Sequence, residues 1–373
     1  MTLPKKLTDQ LNKRKQNNSI RSLKTTNGLV DFSSNDYLGL SRNETLKAKV
    51  ERQSKNLNLG STGSRLLSGN SAIAEETEAF LTEQFSAESC LILNSGYLAN
   101  LAVISSIPQK GDTIIYDELV HASIKDGMRL SLANKKSFKH NDLADLKKRL
   151  DLAEGDRYVV IESAYSMDGD FAPLKDVIDI CEKHKARLIL DEAHTTGLYG
   201  RKGGGLSEEL KLEDKIFCRV FTFGKAIGCH GAAIAGSKDL ITYLINFARP
   251  FIYTTALPDH SYISIKEGFN HILKSNEPRV QLFNNVEFYN DLFEEKLNTK
   301  FSRVSNDHPI QTILISGNNN VKNAAATLQK SGFDVRPILS PTVKEGQERL
   351  RICLHSFNTE DEIYNLVATL ANL

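Results

Sequence analysis

"FCRVFTFGKAIGCHGAAIAGS", residues 217–237, holds two short apolar runs on either side of a glycine-bounded turn. The first run stops at Gly224, a single lysine follows at 225, and a second glycine arrives at 228. Neither run alternates apolar with polar residues, as a strand with one wet face would. Both read as strands buried on two faces, in a sheet that helices cover. The same pattern recurs upstream in "CLILN" (90–94), "DTIIYD" (112–117), "KKSFKH" (135–140), "RYVVIES" (157–163) and "ARLILDEAH" (186–194). Helix-length segments separate them, among them a stretch from Tyr97 and "LKDVIDICEKH" (174–184). Seven candidate strands, most leading into helices, predict an α/β fold with a mostly parallel seven-stranded sheet. In such sheets ligands sit at the carboxyl ends of the strands, so the residues after each strand matter most.

The flanks differ. Residues 1–20 are polar and helix-like, and 275–300 read as a long charged helix. Beyond it, "PIQTILIS", "VKNAAATLQKSG", "FDVRPI", "RLRICLH" and "TEDEIYNLVATLAN" predict a smaller α+β domain with partly antiparallel strands. The expected division is an N-terminal segment 1–45, a large domain 46–270 and a small C-terminal domain 271–373. A chain of 373 residues is long enough for this arrangement.

Composition narrows the function classes. Apolar residues make up 40% and charged residues 25%, the balance of a soluble globular protein, and the net charge of +1 offers no footprint for nucleic acid or a membrane surface. No apolar run approaches the roughly 20 residues of a membrane span. "MTLPKKLTDQ" has no apolar core of a signal peptide, so the expectation is a cytoplasmic protein. Cys90, Cys181, Cys218, Cys229 and Cys353 are odd in number and scattered, which predicts reduced thiols and no metal site.

At the strand ends, "ARLIL" runs into Asp191, Glu192, Ala193 and His194. A buried aspartate needs a cationic or hydrogen-bonding partner, and alone it reads equally well as a helix cap or structural ion pair. "DEAH" also matches a helicase Walker B strand, but that reading requires an upstream phosphate loop ending Gly-Lys-[Ser/Thr]. The chain's Gly224–Lys225 pair lies downstream and precedes alanine, which counts against an ATPase. A glycine-flanked lysine above a sheet can serve as an amine nucleophile, although a lone one is more often a surface residue. Asp191 and Lys225 on consecutive strands are what pyridoxal phosphate requires: a carboxylate for its ring nitrogen and an amine for its aldehyde. Its phosphate needs seating, and "NSGYLANLA" (94–102) opens a helix at Ser95–Gly96, which otherwise is an ordinary cap. Thr222, Thr254 and Thr255 are further hydroxyl donors. His121, near a helix start, can lie on the ring and exchange protons. Ser166 in "YSMDGD" faces the same edge and can bond the cofactor's phenolic oxygen or His121, or simply form a turn.

With these residues in view, the chain resembles the pyridoxal-phosphate α-oxoamine synthases within fold type I, from about residue 10 to 370. "FSSNDYLGLS" (32–41), "GSTGSRLLSGN" (60–70), "YSMDGDFAPL", "DEAHTTGLYG", "TFGKAIGCHGA" and "PTVKEGQERLRI" carry the likeness, and as an ordered set they are specific. The resemblance implies that Lys225 bonds the cofactor, Asp191 pairs with its ring nitrogen, His121 stacks on it, and His194 and Ser166 contact it. Gly96, Tyr97 and Thr222 are implied at the phosphate. Arg21, Thr342 and Arg351 are implied at the substrate. Within the family the motifs lean toward the branch of biotin synthesis that condenses L-alanine with a pimeloyl thioester, carried by coenzyme A or a carrier protein. Sister branches that use glycine or serine stay open. So does a member of the fold that has lost its chemistry and serves as a binding module. A homodimer with shared active sites is implied too. Departures fall at Ala74, where the family often has histidine, and at "ILSPTV", which puts Leu339 where the biotin branch has arginine and leaves Arg336 nearby. The glycine-rich "GRKGGGLSEE" (200–209) fits either a mobile loop or an active-site flap.

Overall fold

The computed structural model describes residues 2–23, 25 and 28–373. The chain divides into two compact units. The larger comprises residues 38–166 and 171–279, the smaller residues 1–37, 167–170 and 280–373.

The larger unit is built on seven strands: β1 (Ser89–Leu93), β2 (Thr113–Asp117), β3 (Asn134–Phe138), β4 (Arg157–Glu162), β5 (Arg187–Asp191), β6 (Cys218–Thr222) and β7 (Ala232–Gly236). Their order is β1-β7-β6-β5-β4-β2-β3. β6, β5, β4, β2 and β3 run parallel, and β7 is antiparallel to both of its neighbours. All seven segments predicted as strands are strands of this sheet. Its fold class is α/β, mostly parallel and helix-covered.

Strand periodicity splits the core into two layers. On β4, Tyr158 and Val160 face one layer while Val159 and Ile161 face the other; on β5, Ile189 faces the first, and Leu188 and Leu190 the second. Ala99, Val103 and Ile104 of the Gly96–Ser106 helix and Ile124 of the Ala122–Leu130 helix cover the first layer. Leu146 and Leu150 of Leu143–Asp151, with Val177 and Ile178 of Leu174–Lys183, cover the second. Burying one such side chain contributes about 1.5–3 kcal/mol, so both faces hold their helices through many modest terms. β3 is an edge strand, and its exposed Lys135 discourages pairing with another chain.

In the smaller unit, β8 (Ile310–Leu314), β9 (Arg336–Ile338) and β10 (Arg349–Cys353) form an antiparallel sheet in the order β9-β10-β8. The Asn318–Lys330 and Glu360–Ala371 helices belong to it, the latter opened by a reciprocal cap between Thr359 and Glu362. Val30–Asp31 pairs in parallel with Phe333–Asp334, which ties the N-terminal residues to this unit. Residues 167–170 join it too, through the Arg349–Asp168 ion pair. Among the described residues no helix is long and apolar enough to cross a membrane.

Candidate active site

Strand register and two tight turns build the site in the larger unit. β6 carries Phe221 on one face. Its ring stacks on Phe85 with centroids 3.8 Å apart, and Phe223, two residues on, meets Phe269 edge-on at 5.7 Å. These contacts fix the strand end just before the lysine. The chain then turns: Gly228 N–H donates to Lys225 C=O (2.9 Å) and Cys229 N–H to Phe223 C=O (3.0 Å). Gly228 has φ +67°, and a Cβ there would drive into the backbone at Leu40–Ser41, so the turn that presents Lys225 depends on glycine. Lys225 is half-buried, and its Nζ lies 2.9 Å from Nε2 of the buried His194.

Asp191 ends β5, in register with Glu162 of β4 and Val220 of β6. Side chains alternate, so the two acids of "DEAH" part company. Asp191 Oδ1 accepts from Ala193 N–H (2.9 Å) and Oδ2 from Asn100 Nδ2 (2.6 Å). Glu192 is fully buried and accepts from the backbone of Leu206 (3.0 Å) and Ser207 (2.8 Å) and from the Thr195 hydroxyl. It therefore pins the start of the Leu206–Glu209 helix. Glu208 accepts from Lys202 and Gly204 N–H, Glu209 from Gly200 N–H, and the buried Arg279 guanidinium donates to Gly197 and Gly200 C=O. Residues 200–209 are thus a tied-down turn.

His121 caps the Ala122–Leu130 helix, its Nδ1 accepting from Ser123 N–H at 3.2 Å. Ser123 Oγ lies 2.8 Å from the same nitrogen, and His121 N–H donates to Glu162 Oε1 at 2.6 Å. His121 keeps an exposed edge, and partial desolvation of its ring lowers its pKa below the ordinary value; Asp191 opposes this and Lys225 reinforces it. For Glu162, burial and then the Asp191 charge push the carboxyl up to about 8, against the pull of Lys225. Asn100 bonds both Asp191 and Ser123, and Ser123 meets His121, which links carboxylate to imidazole, while the Lys225 amine lies against His194, three residues beyond Asp191.

Gly96 opens the Gly96–Ser106 helix behind the Ser95 cap, where first-turn N–H groups lack intrahelical partners. A Cβ on Gly96 would collide with Thr222 Oγ1, so the predicted pair lie side by side. Tyr97 is partly exposed, bonds Asp126 through its hydroxyl and meets the His121 ring edge-on at 6.4 Å. Ser166 is half-buried on the segment between β4 and Phe171, where Ala164 and Phe171 bridge. Thr255 accepts from Asn94 Nδ2 through its C=O, at 3.0 Å.

Arg21, Thr342 and Arg351 belong to the smaller unit. Arg21 Nη2 donates to Thr342 Oγ1 at 3.3 Å, joining two of the predicted substrate residues. Arg351, buried in β10, donates to Asn35 Oδ1 and Cys353 Sγ, both at 2.9 Å. Arg336 stands opposite Arg351 in the sheet register and is ion-paired to Asp334 at 2.6 Å.

An amine, a carboxylate and a glycine–hydroxyl cradle at a helix start match pyridoxal phosphate in donor chemistry. Sequence reading passed over Asn100, Ser123 and Glu162. Asn100 had a signal, being the polar residue of the otherwise apolar "LANLAVI"; Glu162, ending "VVIE", mirrors Asp191.

Residues 27–370 match the model of the aminotransferase class I and II family. An 8-amino-7-oxononanoate synthase of Emericella nidulans is 40% identical over 364 residues, spanning 92% of this chain and 88% of the relative. A serine palmitoyltransferase from S. paucimobilis, solved with a bound PLP–myriocin aldimine, superposes with a TM-score of 0.92 at 25% identity, covering 100% of this chain and 98% of its own. An 8-amino-7-oxononanoate synthase from Francisella tularensis superposes with a TM-score of 0.80 at 29% identity, covering 92% and 97%.

Proposed function

We propose that this chain, which belongs to the aminotransferase class I and II family, condenses L-alanine with a pimeloyl thioester of coenzyme A or a carrier protein. The products are 8-amino-7-oxononanoate, carbon dioxide and free thiol. The enzyme is a pyridoxal-phosphate-dependent acyltransferase. Support rests first on the hydrogen bonds that link Asp191 to His121 through Asn100 and Ser123 and set the Lys225 amine against His194 in the larger unit.

The bound cofactor supplies an aldehyde that captures amines and a ring that accepts electrons from the amino acid's α-carbon. Lys225 would be the covalent anchor of the cofactor and the base for the α-proton, and His194, 2.9 Å away, would steer its amine. Asp191 would pair with the cofactor's ring nitrogen and keep it protonated. Gly96 and Tyr97 offer N–H groups and Thr222 its hydroxyl to the phosphate, while Ser166 and His194 serve the phenolic side. His121 would face the cofactor ring and would assist proton movement at the substrate. Arg351 grips the amino-acid carboxylate with its planar fork, and Arg21 and Thr342 meet the acyl substrate. The protein is proposed to be a cytoplasmic homodimer with shared active sites, the threonines of "YTTALP" serving the neighbour.

A sister reaction joining serine to a fatty acyl thioester is the second reading, favoured by the serine palmitoyltransferase likeness and by Leu339, where the biotin branch has arginine. Arg336, tied to Asp334, is not a ready replacement. The deciding experiment offers purified enzyme alanine, glycine and serine with pimeloyl, acetyl, succinyl and palmitoyl thioesters and identifies products by mass. A visible cofactor band with the alanine–pimeloyl product is expected. A serine–palmitoyl product overturns the substrate assignment, and a colourless protein that binds no pyridoxal phosphate overturns the reaction class.

A further inference from the structure

Hydrogen-bond direction can be followed through three buried groups behind the site. Asp191 Oδ2 meets an amide, and a carboxylate only accepts, so Asn100 must turn its NH2 toward it (2.6 Å). The same Nδ2 lies 3.1 Å from Ser123 Oγ and donates its second hydrogen there. Ser123 Oγ–H is then left to donate, and His121 Nδ1 lies 2.8 Å away. The helix cap gives an independent reading of that nitrogen, because Ser123 N–H also donates to it at 3.2 Å. An imidazole nitrogen that accepts two hydrogen bonds carries no proton. Asn100 and Ser123 are 3% and 0% exposed, so water does not readily replace either.

We propose that Asn100 and Ser123 are positioning residues that set the state of His121, holding its ring neutral with the proton on Nε2 as a hydrogen-bond donor. The relay begins at Asp191. It carries the direction of that carboxylate's hydrogen bonds across the Gly96–Ser106 and Ala122–Leu130 helices to the imidazole. Other charges act on the ring as well: Asp191 and Asp126 favour its protonated form, Lys225 and Lys125 oppose it, and Glu162 holds the backbone N–H. Partial desolvation of the ring, which keeps an exposed edge, works in the same direction as the relay. The inference rests on the reading of His121 as a site residue, but the relay itself needs no cofactor to be tested.

The exchange rate of the imidazole C2 hydrogen for deuterium reports the pKa of a single histidine. It can be read by mass spectrometry of peptides against pH, with or without pyridoxal phosphate. Wild-type His121 should titrate below an ordinary histidine. Ser123→Ala and Asn100→Ala each remove a donor that favours the neutral ring, so the midpoint should rise by roughly half to one pH unit. In the cofactor-loaded enzyme the acid limb of kcat/KM should move up by the same amount. Val103→Ala loosens the same helix without touching the relay and should leave the midpoint in place. If Asn100→Ala does not fold, Ser123→Ala, which deletes one oxygen, decides alone. An unmoved midpoint in the variants, or an equal rise in Val103→Ala, overturns the relay. A colourless wild-type enzyme with a shifted midpoint overturns the proposed reaction and leaves the relay standing.

Discussion

At the residue scale the site is a problem of placing charge. Lys225 needs a mobile amine, and the His194 imidazole lies 2.9 Å from its Nζ. Lys225→Ala should remove the cofactor's visible band and lower turnover by at least about 10²–10⁴-fold, the range for losing a positioned proton carrier; a variant that keeps band and rate refutes the assignment. Gly96→Ala puts a methyl against Thr222 Oγ1. Cofactor dissociation measured by fluorescence should weaken roughly tenfold, or about 1.4 kcal/mol, with little change in thermal midpoint. Unchanged affinity would remove these two residues from the phosphate site.

At the element scale, strand alternation decides what adjacent residues do. Asp191 turns toward Asn100, while Glu192 turns the other way and ties the 200–209 turn. Glu192→Ala leaves the Leu206 and Ser207 N–H groups without their acceptor, at about 1–3 kcal/mol each. Limited proteolysis should then cut within 200–209, and equal resistance in both proteins would mean other contacts suffice. Phe221 anchors the strand that presents Lys225. Phe221→Ala should cost about 3–5 kcal/mol in urea unfolding, and a loss under 1 kcal/mol would show that the Phe85 stack contributes little. The seven strands were legible because buried β-branched runs and glycine breaks are local signals. The roles of "DEAH" and "GRKGGGLSEE" were not, since they depend on which face each acid takes after the strand ends.

At the scale of the whole molecule, Glu162 links the site to stability. Its carboxyl titrates near 8 in the fold against 4.5 when unperturbed, because burial and Asp191 disfavour the charged form. The folded chain therefore keeps a proton that the unfolded chain releases. Its contribution is fully present below about pH 4.5 and is lost as pH rises through about 8. Cofactor-free wild type should lose stability over that interval relative to Glu162→Gln, which cannot ionise. Parallel unfolding curves across it would contradict the raised value. The division into two units is a second whole-molecule feature: residues 1–37 cluster with residues 280–373, a tie to which the pairing of Val30–Asp31 with Phe333–Asp334 contributes.

The sequence by itself determined the sheet, the strand ends and the residue types there, because side-chain period, glycine turns and strand-terminal charges are written within a few residues of one another. Only the tertiary structure decided which groups face those residues. Asn100 meets Asp191 across 91 positions of chain, and His121 meets Glu162 across 41. Hydrogen bonds of that span follow from sheet order and register, which no local pattern encodes.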